Sequence, residues 1–144
     1  MDYIKLNKDW TNKIKIIRVS STNIKAFASK EPVRQIINNL VLNAIQSMED
    51  GGVLSIETKM TKQKDDTIEY AELKVSDTGC GIMEDDLKKI FGPFYTNKEK
   101  GTGLGLTIVN HIVEGYNGKI KIESTLNKGT VCFVWLPDKK EEHL

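Results

Sequence analysis

Asp77-Thr78-Gly79-Cys80-Gly81-Ile82 closes a stretch, Ile68 to Asp77, in which Ala71, Leu73 and Val75 alternate with Glu72, Lys74 and Ser76. Alternation with period two marks a strand with one covered and one solvated face. Counting on from Val75 puts Asp77 in register with the apolar set. A carboxylate aligned with a covered face is costly unless something partners it. The glycines that follow let the backbone turn sharply or approach a neighbour closely. The strand and turn therefore predict a sheet whose inner face ends in a carboxylate.

Upstream, Lys30 to about Met48 reads as the clearest helix, with Val33, Ile36, Ile37, Leu40, Ala44 and Met48 on the helical repeat. Ser29 can cap it, Glu31 suits its first turn, and Pro32 is tolerated there. At about 100° per residue, Asn39, Asn43 and Gln46 fall along one margin of the apolar stripe, where amides can face a cleft. Leu42 points away from the stripe and is expected to be an exposed contact. Ile14, Ile16 and Val19, then Ile24, Ala26 and Ala28, predict one or two edge strands after a polar beginning that holds an isolated Trp10. Gly51-Gly52 ends the helix, Val53 to Met60 alternates as a strand, and Thr61 to Thr67 makes a polar loop.

Downstream of the turn, Glu84 to Ile90 predicts a short acidic helix. Residues 91–100 run from aromatic to polar and end at Gly101, a composition suited to a mobile lid. Leu104, Ile108, Val109, Ile112, Val113 and Tyr116 mark a second amphipathic helix. Lys119 to Thr125 and Thr130 to Leu136 form a hairpin through Asn127-Lys128-Gly129, the second strand apolar on both faces and so well covered. Pro137 stops it, and a charged tail follows. One domain over 1–144 is expected, with its motifs between about 29 and 137.

Composition excludes several classes. Lys plus Arg number 21 against 20 Asp plus Glu, a net charge of +1, which exerts no general pull on nucleic acid or anionic lipid. No run approaches the roughly 20 apolar residues of a membrane span, and the charged, non-periodic residues at the start give no expectation of a signal peptide. Cys80 and Cys132 stand far apart, arguing against a metal cluster. A reducing, cytoplasmic setting is the simplest expectation.

Three segments carry the chemistry. A covered Asp77 can accept a hydrogen bond from the exocyclic amine of adenine, where guanine presents an oxygen; alternatively, Asp-Thr-Gly is an ordinary Asx-type turn. A neutral amide such as that of Asn43 suits Mg²⁺, which keeps waters and takes its other ligands from phosphates. Asn39, one turn earlier, would meet phosphate or a metal-bound water; alternatively, both are plain helix-surface amides. Gly101-Thr102-Gly103-Leu104-Gly105-Leu106 lacks the Gly-Lys-Ser/Thr of a P-loop and the third glycine of a dinucleotide fingerprint. It remains a glycine run opening a helix, whose free N–H groups favour phosphate, or else a linker. Lys98 could add a charge from the lid. His111 and His143 have no acidic neighbour placed to activate them, and Cys80 has no base beside it.

Taken in order, these segments resemble the catalytic, ATP-binding domain of sensor histidine kinases, within the gyrase, heat-shock-chaperone, histidine-kinase and mismatch-repair superfamily. Asn39-Leu-Val-Leu-Asn43-Ala44 is similar to its N box and Asp77-Thr-Gly-Cys-Gly81 to its first glycine box. Phe91-Gly-Pro-Phe94 is similar to the F box and Gly101 to Leu106 to the second glycine box. Gly129-Thr130 resembles the late glycine turn. The resemblance implies an α/β (α+β) two-layer sandwich of Bergerat type, a mixed sheet with helices on one face and a mobile ATP lid. It implies ATP and Mg²⁺ as cofactors. Asn43 would hold the metal, Asn39 would assist at the phosphates, and Asp77 would hold adenine with Gly79, Gly81, Ile82 and Thr130 nearby. Gly101, Thr102, Gly103, Leu104, Gly105 and Leu106 would line the phosphate end, with Lys98 reaching in.

The implied reaction is γ-phosphoryl transfer to a histidine on a separate dimerisation domain, with a response regulator downstream. The expectation is thus the catalytic domain of a larger kinase, mainly monomeric by itself. Two departures matter: Gln46 stands where many members have a basic residue, and no segment of the sequence reads as the family's acceptor-histidine helix. Against the hydrolytic relatives, Asn39 stands where they place a Glu that activates water. The alternatives implied are an anti-sigma-type serine kinase or ATP hydrolase of the same fold, or a nucleotide-gated binding module.

Overall fold

The computed structural model describes residues 13–62, 67–90 and 105–140. Five strands form one mixed sheet: β1 (Ile14–Ser20), β2 (Gly52–Lys62), β3 (Glu69–Asp77), β4 (Lys119–Thr125) and β5 (Gly129–Pro137), in the spatial order β1-β2-β3-β5-β4. β1 lies parallel to β2, which the chain reaches from it through the helix α1 (Lys30–Gln46); the other neighbours are antiparallel. A four-residue helix, α2 (Glu84–Leu87), and α3 (Gly105–Gly115) complete the described elements.

Period two in the strands and 3.6 in the helices converge on one layer of contact. Leu54 and Ile56 of β2, Val75 of β3 and Cys132, Val134 and Leu136 of β5 point inward. They meet Ile36, Leu40, Val41, Ala44 and Ile45 of α1 and Val109 and Val113 of α3. This is the two-layer sandwich that the motifs imply, with the helices on one face. A core of this kind tolerates little loss of volume: truncating a fully buried side chain such as Ile36 or Leu54 to alanine costs on the order of 2–5 kcal/mol.

The opposite face of the sheet is solvated, and its side chains pair across strands. Lys59 and Lys74 lie 3.6 Å and 3.5 Å from Glu72 and Glu57. Phe133 and Trp135 stack with centroids 5.4 Å apart, and Trp135 Nε1 donates to Glu72 Oε1 at 2.9 Å. This explains why β5 is apolar on both faces: its inner residues are core, while its outer aromatics are half-buried, stacked on one another with the Lys74 ammonium over the Phe133 ring.

Several expectations change. Of the one or two strands expected in this segment one forms, β1; Ile24, Ala26 and Ala28 lie outside it, because Asn23 turns the backbone at φ 60° and the chain leaves the sheet for the helix layer. Ser29 occupies the N-cap position of α1 without a side-chain capping bond; its N–H donates to the Tyr116 hydroxyl instead, 3.2 Å away, tying α1 to the end of α3. Leu42 is half-buried rather than exposed. The acidic helix stops after one turn, and Ile90 is buried beyond it. The lid segment 91–100 and residues 101–104 lie outside the described residues, as do the polar beginning and the end of the charged tail.

Candidate functional site

The Asp77 turn is held from three sides. Asp77 Oδ1 accepts the Gly79 N–H at 2.9 Å, so the Asx turn forms and fixes the carboxylate's orientation. Cys80 N–H reaches the Ser47 carbonyl at the end of α1, 3.1 Å away, and the Asn127 N–H of the β4–β5 hairpin reaches the Cys80 carbonyl at 2.7 Å. Thr78 Oγ1 accepts the N–H of Val53 at 3.0 Å. Asp77 stands opposite Leu54 on one side and Thr130 on the other, on the helix-facing side of the sheet. It is half-buried, less covered than the buried-face register suggested, because it terminates its strand where the core gives way.

Two glycines make this packing geometrically permissible. Gly81 has φ +71°, and a Cβ there would land on the Thr125 carbonyl; Gly129 has φ +133°, and a Cβ would land on the carbonyl of Asp77. Both conformations are strained for any residue with a side chain.

A second cluster lies between the helices. Asn39 and Asn43 are half-buried, one turn apart on α1, beside buried Leu40 and Ala44. They face the first residue of α3. A methyl group on Gly105 would sit 3.8 Å from Asn39 Oδ1 and 3.8 Å from both Asn43 Oδ1 and Asn43 Nδ2. The first described residue of α3 is thus set against two carboxamides. Among the described residues no three His, Cys, Asp or Glu side chains gather as a metal cluster. A hard cation here would depend on amide oxygen and on oxygens brought by a phosphate ligand, a donor set that fits Mg²⁺.

The structure brings together Asp77, Gly79, Gly81, Ile82 and Thr130 in one cluster and Asn39, Asn43 and Gly105 in the other; Leu106 packs against the core as the next residue of α3. Lys98, Gly101, Thr102, Gly103 and Leu104 lie outside the described residues. Gln46, where a basic residue was the family expectation, is half-buried near the end of α1. Sequence reasoning missed Ser124, whose Oγ accepts the Ile82 N–H at 2.8 Å and lies 2.8 Å from Thr130 Oγ1. Its signal was available: in Ile120, Ile122 and Ser124 it is the one polar residue in an inward-facing series. Both cysteines are free thiols, Cys80 exposed and Cys132 buried. Burial pushes the Cys132 thiol up to about 12.

A mixed sheet under two helices, with a carboxylate at a glycine turn and paired carboxamides beside α3, is a two-layer α/β sandwich. The chain belongs to the family of histidine kinase-, DNA gyrase B- and HSP90-like ATPases, whose model matches residues 28–140. Its relatives place it with the histidine kinases of that family. It is 41% identical over 109 residues to sporulation kinase C of Bacillus subtilis, covering 76% of this chain and 24% of that protein. It is 39% identical over 110 residues to the sensor histidine kinase ZraS of Salmonella typhimurium, covering 76% and 23%. The chain thus spans about a quarter of the length of these curated relatives. Among solved structures, the catalytic domain of histidine kinase ThkA, in a nucleotide-free form, superposes with a TM-score of 0.74 at 31% identity, covering 87% of this chain and 79% of that one. Full-length ShkA in complex with AMPPNP superposes at 0.73 with 25% identity, covering 90% and 27%. Among the described residues, no helix is long and apolar enough to cross a membrane.

Proposed function

We propose that this chain is the single ATP-binding catalytic domain of a two-component sensor histidine kinase, and that it donates the γ-phosphoryl group of ATP to a histidine on a separate dimerisation domain. The observation that carries the reading is the facing of Asn39 and Asn43 with the first turn of α3 at Gly105, within a fold whose relatives are kinases of this kind. Asp77 holds adenine: an ionised carboxylate only accepts hydrogen bonds, and the bond from Gly79 fixes its orientation. Gly79, Gly81, Ile82 and Thr130 form the surrounding wall. Asn43 holds Mg²⁺ through its amide oxygen, and Asn39 hydrogen-bonds the phosphates or a metal-bound water. The bound cation neutralises phosphate charge. Gly101 to Leu106 cradle the phosphates and Lys98 reaches in from segment 91–100.

In the transfer, the lone pair of a neutral imidazole nitrogen forms the N–P bond as the bond from γ-phosphorus to the β–γ bridging oxygen breaks. ADP leaves, and the ring loses its extra proton to solvent. Such a transfer needs alignment and charge neutralisation more than a strong base. Asn39 cannot accept a proton, which disfavours the ATP hydrolase reading and predicts very slow turnover of ATP without an acceptor. The domain is read as cytoplasmic and mainly monomeric, its parent as a homodimer that acts on a response regulator, whether or not a membrane anchors it.

Incubation with γ-labelled ATP, Mg²⁺ and a purified acceptor-helix domain tests this. Acid-labile label on histidine is the expected result. Label on serine of an added partner would favour the serine-kinase alternative, and nucleotide binding without transfer would favour a gated binding module.

A further inference from the structure

Ser124 is the point at which three elements of the adenine wall meet. Its Oγ lies 2.8 Å from the Ile82 nitrogen, 3.0 Å from the Gly129 carbonyl oxygen and 2.8 Å from Thr130 Oγ1. Two of these contacts have a fixed direction, since an amide N–H only donates and a carbonyl only accepts. A serine hydroxyl has a single proton, and here it goes to Gly129. In the third contact either hydroxyl could be the donor; with the Ser124 proton on Gly129, it is Thr130. That leaves the Thr130 hydroxyl with lone pairs alone for any group on its other side. Thr130 is the cross-strand partner of Asp77, so the two side chains are neighbours on one face of the sheet. An ionised carboxylate also only accepts.

We propose that Ser124 is a positioning residue for base selectivity. By taking the Thr130 proton it makes Thr130 a second acceptor beside Asp77, and the pair selects a purine with an amino group at C6 over one with an oxo group there. This rests on the nucleotide-site reading above and deepens it. An amino group has two protons for two acceptors. An oxo group meets lone pairs on both sides, and leaving such groups unpaired is what rejects the wrong ligand. Without Ser124, the Thr130 hydroxyl is free to rotate and can donate to the oxo oxygen.

The test is equilibrium titration of the whole chain with ATP and with inosine triphosphate, both with Mg²⁺. Wild type prefers ATP. Ser124→Ala narrows that preference about tenfold, chiefly by tightening the inosine nucleotide. Ser124→Cys fills the same space with a weaker acceptor and narrows it by a smaller factor; Ser124→Thr, which keeps the hydroxyl, restores it. In a Thr130→Val background, Ser124→Ala changes the preference less than about twofold, because the effect runs through Thr130. A preference unchanged in the cysteine variant, or both nucleotides weakened equally, overturns the proposal while leaving the kinase reading intact. The cysteine variant decides the matter should the alanine variant fail to fold. Wild type that binds neither nucleotide overturns the nucleotide reading itself.

Discussion

The two ends of the candidate site are positioned by different physics. The Asp77 end is fixed by directional bonds: the Gly79, Cys80, Asn127 and Ser124 contacts bind a turn to α1, to the hairpin and to the strand beside it. The Asn39–Asn43 end is fixed by apolar packing. Leu40, Val41, Ala44 and Ile45 on α1 and Val109 and Val113 on α3 are buried, and the amides ride at the margin of that contact. The difference teaches where binding and folding are coupled. At the turn, the same atoms build the wall and hold the domain together. On the helices, the polar groups can change while the core stays as it is.

The strongest challenge to that contrast is Gly129→Ala. The new Cβ would meet the Asp77 carbonyl at a φ of +133°, so a loss of about 3 kcal/mol is expected. For a domain of this size that is a drop of roughly 10 °C in Tm, with weakened ATP binding alongside. Asp77→Asn comes next. It should weaken ATP about 100-fold, equivalent to about 2.7 kcal/mol, with Tm almost unmoved, since an asparagine oxygen can still accept the Gly79 N–H. Calorimetric titration and thermal melts on the same samples separate the two effects. Asn43→Ala should weaken Mg-ATP by roughly tenfold or somewhat more and remove the magnesium dependence of binding, again with little change in Tm. An Asn43→Ala domain that melted as early as Gly129→Ala would abolish the distinction between the two ends.

The smallest effect concerns the core that both ends share. Burial raises the Cys132 thiol from an ordinary 9.0 to about 12. The folded domain keeps that proton where the unfolded chain gives it up, so this contribution is complete below pH 9 and declines as pH rises from 9 toward 12. Between about pH 8 and about pH 10, wild type should lose about 1 kcal/mol more stability in urea melts than Cys132→Ala does. Equal losses would mean that the thiol is open to water in the folded state.

Much of the architecture was legible because burial imposes periodicity. The α1 stripe, the alternation of β3 and the hairpin at Asn127-Lys128-Gly129 each announced an element and its covered side. Less legible were features set by contacts distant in sequence. Ser29 makes no side-chain cap, and its backbone N–H goes to Tyr116, 87 residues away. Ile24 to Ala28 looked strand-like, but that segment has to leave the sheet for the helix layer. From sequence alone, the Asx turn and the recognition carboxylate are alternatives for Asp77. The Asx bond is present, and under the proposed function one carboxylate does both jobs.

The residues alone determined which chemistry was available: a carboxylate in phase with an apolar face, amides one turn apart, glycines where backbone must turn. These follow from local periodicity and steric freedom, which a linear chain displays directly. Only the tertiary structure decided that Asp77 stands across from Thr130, that Gly105 of α3 lies against Asn39 and Asn43, and that Ser124 Oγ lies 2.8 Å from both the Ile82 nitrogen and Thr130 Oγ1. Strand order and register bring together residues tens of positions apart, and no local pattern in the chain records that pairing.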